Sequence, residues 1–295
     1  MALAPGKGDT TPLPAEAMPY TKLSISPRGD RVAFEVRDSG VELRVWDFER
    51  ETMARVTFDP RTDGHPVWLA DDRLIFESHR VPQGNLYEKA ADGTGEARRL
   101  RESPHNNVPQ SVSPDGKWLV FEERTPERSN DLMLYSFETQ SVEPLVSTEF
   151  NETSGTISPD GRFLAYHSNE SGRVEVYVRS FPNAGEGKWP VSSTGGSHPV
   201  WSRDGWELFF LDAERRLNVV TTQSGARTSE AFSASRPERL MDHLFPAGGT
   251  ALAYDVSPDG KRFLTLGEEL SELDEASEIH VVTNWFEELK RLDPN

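Results

Sequence analysis

The 295-residue chain has no cysteine. Disulfides and thiolate-ligated metal centres are therefore excluded, while the compartment stays open, because an exported protein need not carry disulfides. Long apolar runs are missing as well. No stretch approaches the roughly 20 residues of a transmembrane helix, and the opening Met1-Ala2-Leu3-Ala4-Pro5-Gly6-Lys7 lacks the apolar core of a secretory signal. As written the chain reads as soluble, whether whole or excised from something longer. Positive charge is scarce: 32 Lys and Arg face 49 Asp and Glu, a net charge of −17. With no basic patch to neutralise phosphates, nucleic acid and anionic membranes are not expected partners. Catalytic signatures are absent too, among them a P-loop, an Asp-Phe-Gly element, a Gly-x-Ser-x-Gly elbow and His-Glu-x-x-His. The expectation is a protein with no chemistry, metal or cofactor of its own.

What is present is a repeat. Ser113-Pro114-Asp115-Gly116, followed by the apolar Trp118-Leu119-Val120-Phe121, returns as Ser26-Pro27-Arg28-Gly29, Ser158-Pro159-Asp160-Gly161, Ser202-Arg203-Asp204-Gly205 and Ser257-Pro258-Asp259-Gly260, and in worn form as Leu69-Ala70-Asp71-Asp72. The first residues of the six copies, 26, 69, 113, 158, 202 and 257, are spaced by 43, 44, 45, 44 and 55. A period in this range marks propeller blades. Within a copy Pro presets φ, Asp bonds its own backbone and Gly accepts φ > 0, so the segment is a tight turn between two strands. Apolar-polar alternation predicts strands over residues 108–112, 118–123, 131–137 and 142–146 of the third repeat, and over 155–157, 163–167, 174–180 and 188–192 of the fourth. No blade buries both of its faces alone, so the blades must stack into a ring. The predicted fold is all-β: a six-bladed β-propeller of four-stranded antiparallel blades.

The chain ends predict how the ring closes. The sixth repeat supplies strands at 262–266 and 279–283 but no fourth, while residues 10–15 stand ahead of the first repeat as 142–146 stand ahead of the fourth. The N-terminal segment is therefore expected to pair as the outer strand of the last blade. A single domain then covers residues 1–295, with blades near 18–58, 59–103, 104–148, 149–194, 195–240 and 241–283 plus 10–15. Beyond Thr283, Asn284 and Glu287 make a capping box, and Trp285, Phe286, Leu289 and Leu292 share one face, which predicts a short helix over 284–292. That helix folds back on the propeller rim or, in the sharper alternative, presents Trp285, Phe286 and Leu289 to a partner.

The propeller's own site is the mouth of its central channel. Four positions before each repeat mark stand Lys22, His65, Pro109, Ser154, His198 and Ala253. The histidines recur in identical settings, His65-Pro66-Val67-Trp68 and His198-Pro199-Val200-Trp201, in blades two and five, opposite each other in a six-fold ring. Zinc-bound imidazoles need nitrogens about 2.0 to 2.1 Å from one ion, so a pair facing across a channel does not predict a metal site. Lys22, His65, Ser154 and His198 read instead as polar groups converging on a small acidic or peptidic ligand or on another protein. The alternative is that each imidazole hydrogen-bonds a neighbouring blade. Asp115, Asp160, Asp204 and Asp259 read as turn residues, and Trp68 and Trp201, with Ile25, Val112, Ile157 and Val256, as core between blades. The acidic loop at 268–275 lengthens the last spacing and reads as solvated, with a cation or a basic partner as the alternative. Nothing in the sequence fixes the oligomeric state.

These residues carry a family resemblance. Ser158-Pro159-Asp160-Gly161-Arg162-Phe163-Leu164-Ala165-Tyr166 and Trp201-Ser202-Arg203-Asp204-Gly205-Trp206-Glu207-Leu208-Phe209-Phe210 look like the WD-repeat-like β-propeller repeats of the TolB family. The ending Val281-Val282-Thr283-Asn284-Trp285-Phe286-Glu287-Glu288-Leu289 is similar to propellers at the C-terminal end of some bacterial serine/threonine kinases. The resemblance implies a bacterial, periplasmic or otherwise extracytoplasmic setting, with the cytoplasm left open by the missing signal. It further implies a non-enzymatic scaffold, sensor domain or accessory subunit. A lyase or hydrolase using the channel, and the detached propeller half of an oligopeptidase, are the alternatives.

Overall fold

The computed structural model describes residues 9–125, 129–223, 231–244, 254–267 and 278–283. Ala253, the acidic loop at 268–275 and the expected C-terminal helix with Trp285, Phe286 and Leu289 lie outside them. Within the described residues 24 strands form six four-stranded antiparallel sheets, and no helix is present. Blade one is Tyr20–Ile25, Arg31–Arg37, Val41–Asp47 and Thr52–Arg55, in that order from the ring axis outward. The other innermost strands are Asp63–Trp68, Asn106–Val112, Glu152–Ile157, Ser197–Trp201 and Tyr254–Val256. Those of blades three and four begin earlier than alternation predicts because each carries a bulge that interrupts the period of two.

The repeated turn explains why the strands fall where they do. Ser113 Oγ donates to Asp115 Oδ1 at 2.6 Å, Lys117 N–H donates to the same oxygen at 3.1 Å, and Trp118 N–H reaches Ser113 Oγ at 2.9 Å. The pairs Ser158 and Asp160, Ser202 and Asp204, and Ser257 and Asp259 repeat the contact at 2.5, 2.7 and 2.5 Å. These carboxylates are consumed by the turns. At the seam of blades one and six the turn also demands glycine: Gly29 has φ of 73°, and a Cβ there would stand 2.6 Å from Pro258.

Closure follows the predicted route. Asp9–Pro12 pairs antiparallel with Glu278–Thr283, Asp9 opposite Thr283 and Pro12 opposite His280, as the outer strand of the sixth sheet. Leu13 N–H then donates to Ile279 O at 2.9 Å, and Leu13 and Ala15 pack on Leu264, Leu266 and Ile279. The core is divided among six seams between neighbouring blades. Leu43, Trp68, Leu74 and Phe76 fill the first seam, for example, and Leu132, Ile157, Leu164 and Tyr166 the third. Each such buried Leu or Phe contributes roughly 1.5–3 kcal/mol, so stability resides in blade stacking.

Candidate functional site

The six innermost strands enclose a cavity of about 410 Å³. Its wall is knitted by bonds between neighbouring inner strands. Trp68 Nε1–H donates to Ser24 O at 2.8 Å and Trp201 Nε1–H to Thr156 O at 3.1 Å. Ser111 Oγ accepts from Ile157 N–H at 3.2 Å, and Asp255 Oδ2 from Ile25 N–H at 2.8 Å. Each contact recurs three blades on, which gives the channel a pseudo-two-fold axis. In this arrangement Lys22 corresponds to Ser154, Glu35 to His167 and Ser111 to Asp255.

Bulges set the direction of the candidate side chains. Register slips between Gly64 and Val67, Thr153 and Thr156, and Ser197 and Val200 coincide with φ of 57° at His65, 55° at Ser154 and 53° at His198. Non-glycine residues rarely adopt this left-handed conformation, and a bulge re-aims what it carries. His65 donates its N–H to Glu35 Oε2 of blade one at 3.0 Å, and its Nδ1 stands 3.2 Å from Glu77 Oε2. His198 donates its N–H to Nδ1 of His167 in blade four at 3.2 Å, the two rings lying 5.4 Å apart. His167 thus has its proton on Nε2, which bonds Thr153 Oγ1. Of the four sequence candidates, Lys22 and Ser154 line the cavity. His65 and His198 occupy the seams with the preceding blades and are separated from each other, while the prolines that follow them face the cavity.

Lys22 dominates the electrostatics. Its side chain is buried, and desolvation lowers its pKa to about 8 against the opposing pull of Glu35 and Glu122. Glu77 is held down at about 2 by the adjacent His65 and by its bond to His79, which overcome its burial. His167 is pushed to about 3 by burial and then by His198. The carboxyl of Asp255 is raised by burial, with Arg203 opposing. The polar set Glu35, Glu77, Glu122 and His167 was not anticipated from the sequence, though each follows an aromatic residue at the same place in its repeat: Phe34-Glu35, Phe76-Glu77, Phe121-Glu122 and Tyr166-His167. Gln110, Arg203 and Asp255 were missed as well. Among the described residues no group of three or more His, Asp and Glu is arranged to hold a metal ion.

The TolB beta propeller domain family matches residues 22–203. The chain belongs to the TolB β-propeller family. Among solved structures this family member is similar to TolB from Acinetobacter baumannii, with 16% identity and a TM-score of 0.66 over 87% of this chain and 64% of that one. It is also similar to oligogalacturonate lyase from Vibrio parahaemolyticus, with 13% identity and a TM-score of 0.60 over 96% and 95%. Likeness at such identity establishes the fold alone. Among curated proteins it is similar to dipeptidyl-peptidase 5 of Aspergillus fumigatus, 25% identical over 175 residues, which are 52% of this chain and 23% of that protein. The chain thus spans about a quarter of the length of the curated relatives it matches. No helix among the described residues is long and apolar enough to cross a membrane.

Proposed function

We propose that this TolB-family propeller is a binding module without chemistry of its own, an interaction or sensing domain that works through its central channel. The observation that carries the reading is the cavity of about 410 Å³ lined by a buried lysine. Concave sites with apolar walls and few polar groups are where ligands bind. Lys22 and Ser154 act as contact residues in this reading, and His65 and His198 hold the bulged strands that present them. The occupant is an acidic or peptidic group, free or carried by another protein. Family membership supports an extracytoplasmic, periplasmic setting, which cell fractionation tests. Affinity capture from native extract with wild type and with Lys22→Met plus Ser154→Val tests the site: the expected result is partner loss in the double variant with the fold intact. Equal capture would move the working surface elsewhere.

A second reading has one observation in its favour. The curated relative matched here is a peptidase, and the similarity takes in only 23% of its length. This supports a propeller that works beside a separate catalytic unit. Copurification of peptidase activity with the tagged chain tests it.

A further inference from the structure

Among the described residues Lys22 forms no ion pair within its own blade. Its side chain is 6% exposed and lines the cavity. The ammonium feels Glu35 across its own strand pair, Glu122 and Arg124 of blade three, and Glu77 of blade two. Its place on the cavity wall sets the amine in the field of three blades.

Every carboxylate around it is already engaged. Glu35 accepts from the Thr21 hydroxyl at 2.7 Å, from His65 N–H at 3.0 Å and from Arg37 at 3.1 Å. Glu77 is 3.2 Å from His65 Nδ1 and 3.0 Å from His79 Nε2. Glu122 holds Arg124 at 2.6 Å and Gln110 at 3.2 Å. Among the described residues the Lys22 ammonium makes no hydrogen bond or ion pair. The ammonium thus sits on a mostly buried stem at the cavity wall with no acceptor among those residues, an arrangement suited to an anionic group that arrives from outside.

The rest of the wall limits what that molecule is. The pseudo-two-fold mate of Lys22 is Ser154, and the other cation on the wall, Arg203, donates to Ile25 O at 3.4 Å and has Asp255 as its counter-charge, so of the two Lys22 is the off-axis cation that lacks one. Between the polar groups the wall is apolar, with Val67, Val112, Ile157 and Val200. Asp255, whose oxygens accept the N–H of Ile25 and of Val256 at 2.8 Å each, lines the same cavity beside Arg203, and the two offset each other, so that end offers no free cation to a second anionic group. The volume of about 410 Å³ lies toward the lower end of the roughly 300–1,000 Å³ of small-molecule sites.

We propose that the channel binds a small monocarboxylate with an apolar body, its carboxylate on the Lys22 ammonium and its body against the valine and isoleucine walls. This deepens the binding reading of the channel and rests on it.

Trp68 and Trp201 also line the cavity, so intrinsic fluorescence reports occupancy. The test titrates the full chain with hexanoate and phenylacetate against hexanol and hexylamine. Both carboxylates are expected to saturate at one equivalent and to bind at least about tenfold more tightly than the alcohol or the amine, a difference of about 1.4 kcal/mol. Lys22→Met, with its fold checked by circular dichroism, should lose that preference, and Lys22→Arg should keep it. At pH 8 binding should also take up a proton, because a bound carboxylate restores the proton that burial weakens. Calorimetry in two buffers of different ionisation enthalpy reads this uptake, which Lys22→Met should lack. Equal binding of hexylamine, no saturation by either carboxylate, or an unchanged preference in Lys22→Met overturns the proposal. If carboxylates fail while Lys22→Met still loses the native partner, the ligand class falls and the channel remains the binding site.

Discussion

Trp68 and Ser24 belong to different blades, and the indole nitrogen of the first holds the carbonyl of the second at 2.8 Å. Replacing Trp68 with Phe leaves that carbonyl without its donor, which should lower stability by about 1–3 kcal/mol. Trp201→Phe should do the same through Thr156. Because the two contacts lie in different seams, the double variant should lose the sum, within about 0.5 kcal/mol. Guanidinium unfolding measures all three. A larger coupling would show that the halves of the ring do not respond independently.

Lys22→Met should stabilise the protein. The folded pKa of about 8, against the ordinary 10.5, means that the buried charge opposes folding fully below pH 8. That opposition fades as pH rises from 8 to 10.5, since the unfolded chain then binds more protons than the folded one. The gain in the variant should be about 3 kcal/mol at pH 7 and should shrink across that window. Urea midpoints at pH 7 and pH 10 provide the comparison, and a gain that does not change with pH would contradict burial of the charge.

His167 governs the acid side. With a folded pKa of about 3 against an ordinary 6.5, it stays neutral in the fold while the unfolded chain takes up a proton. Stability is therefore lost as pH falls below 6.5, by about 2 kcal/mol between pH 7.5 and pH 5. Glu77, held at about 2, adds its loss only below about 4.5. His167→Gln, which can still accept from His198 N–H and donate to Thr153, should flatten the slope between pH 7.5 and pH 5. An unchanged slope would assign the effect to another group.

Truncation of residues 1–16 should remove the outer strand of blade six, the bond from Leu13 to Ile279 and the bond from the Tyr20 hydroxyl to Glu16 O at 2.6 Å. The strand Glu278–Thr283 would be left as a free edge, which favours association. The midpoint of thermal unfolding should drop by more than about 4 °C, the upper shift for 1 kcal/mol in a chain of this size. An unchanged midpoint would show that the strand is dispensable.

The ring was legible because its signals are local and repeated. Ser-Pro-Asp-Gly at fixed spacing needs no knowledge of distant contacts, and the strand missing from the sixth repeat pointed to the chain start. Lys22 and Ser154 could be placed on the channel by counting from the turn. The same count expected His65 and His198 beside them, whereas the prolines that follow them, Pro66 and Pro199, line the cavity. Glu35, Glu77 and Glu122 escaped for a different reason. A polar residue after an apolar one in a strand reads as facing solvent, and only the adjoining blade shows that it is covered.

Pairing of Asp9–Pro12 with Glu278–Thr283 also fixes an order of events in synthesis. The first-made strand cannot find its partner until the last blade has left the ribosome, which at 5–20 residues per second is an interval of roughly ten seconds to a minute. Until then the nascent chain is an open arc with one bare seam at each end. The ring closes late and at one place, so a cell that makes this protein must shield that seam from its neighbours, or make the chain sparsely enough that two arcs seldom meet.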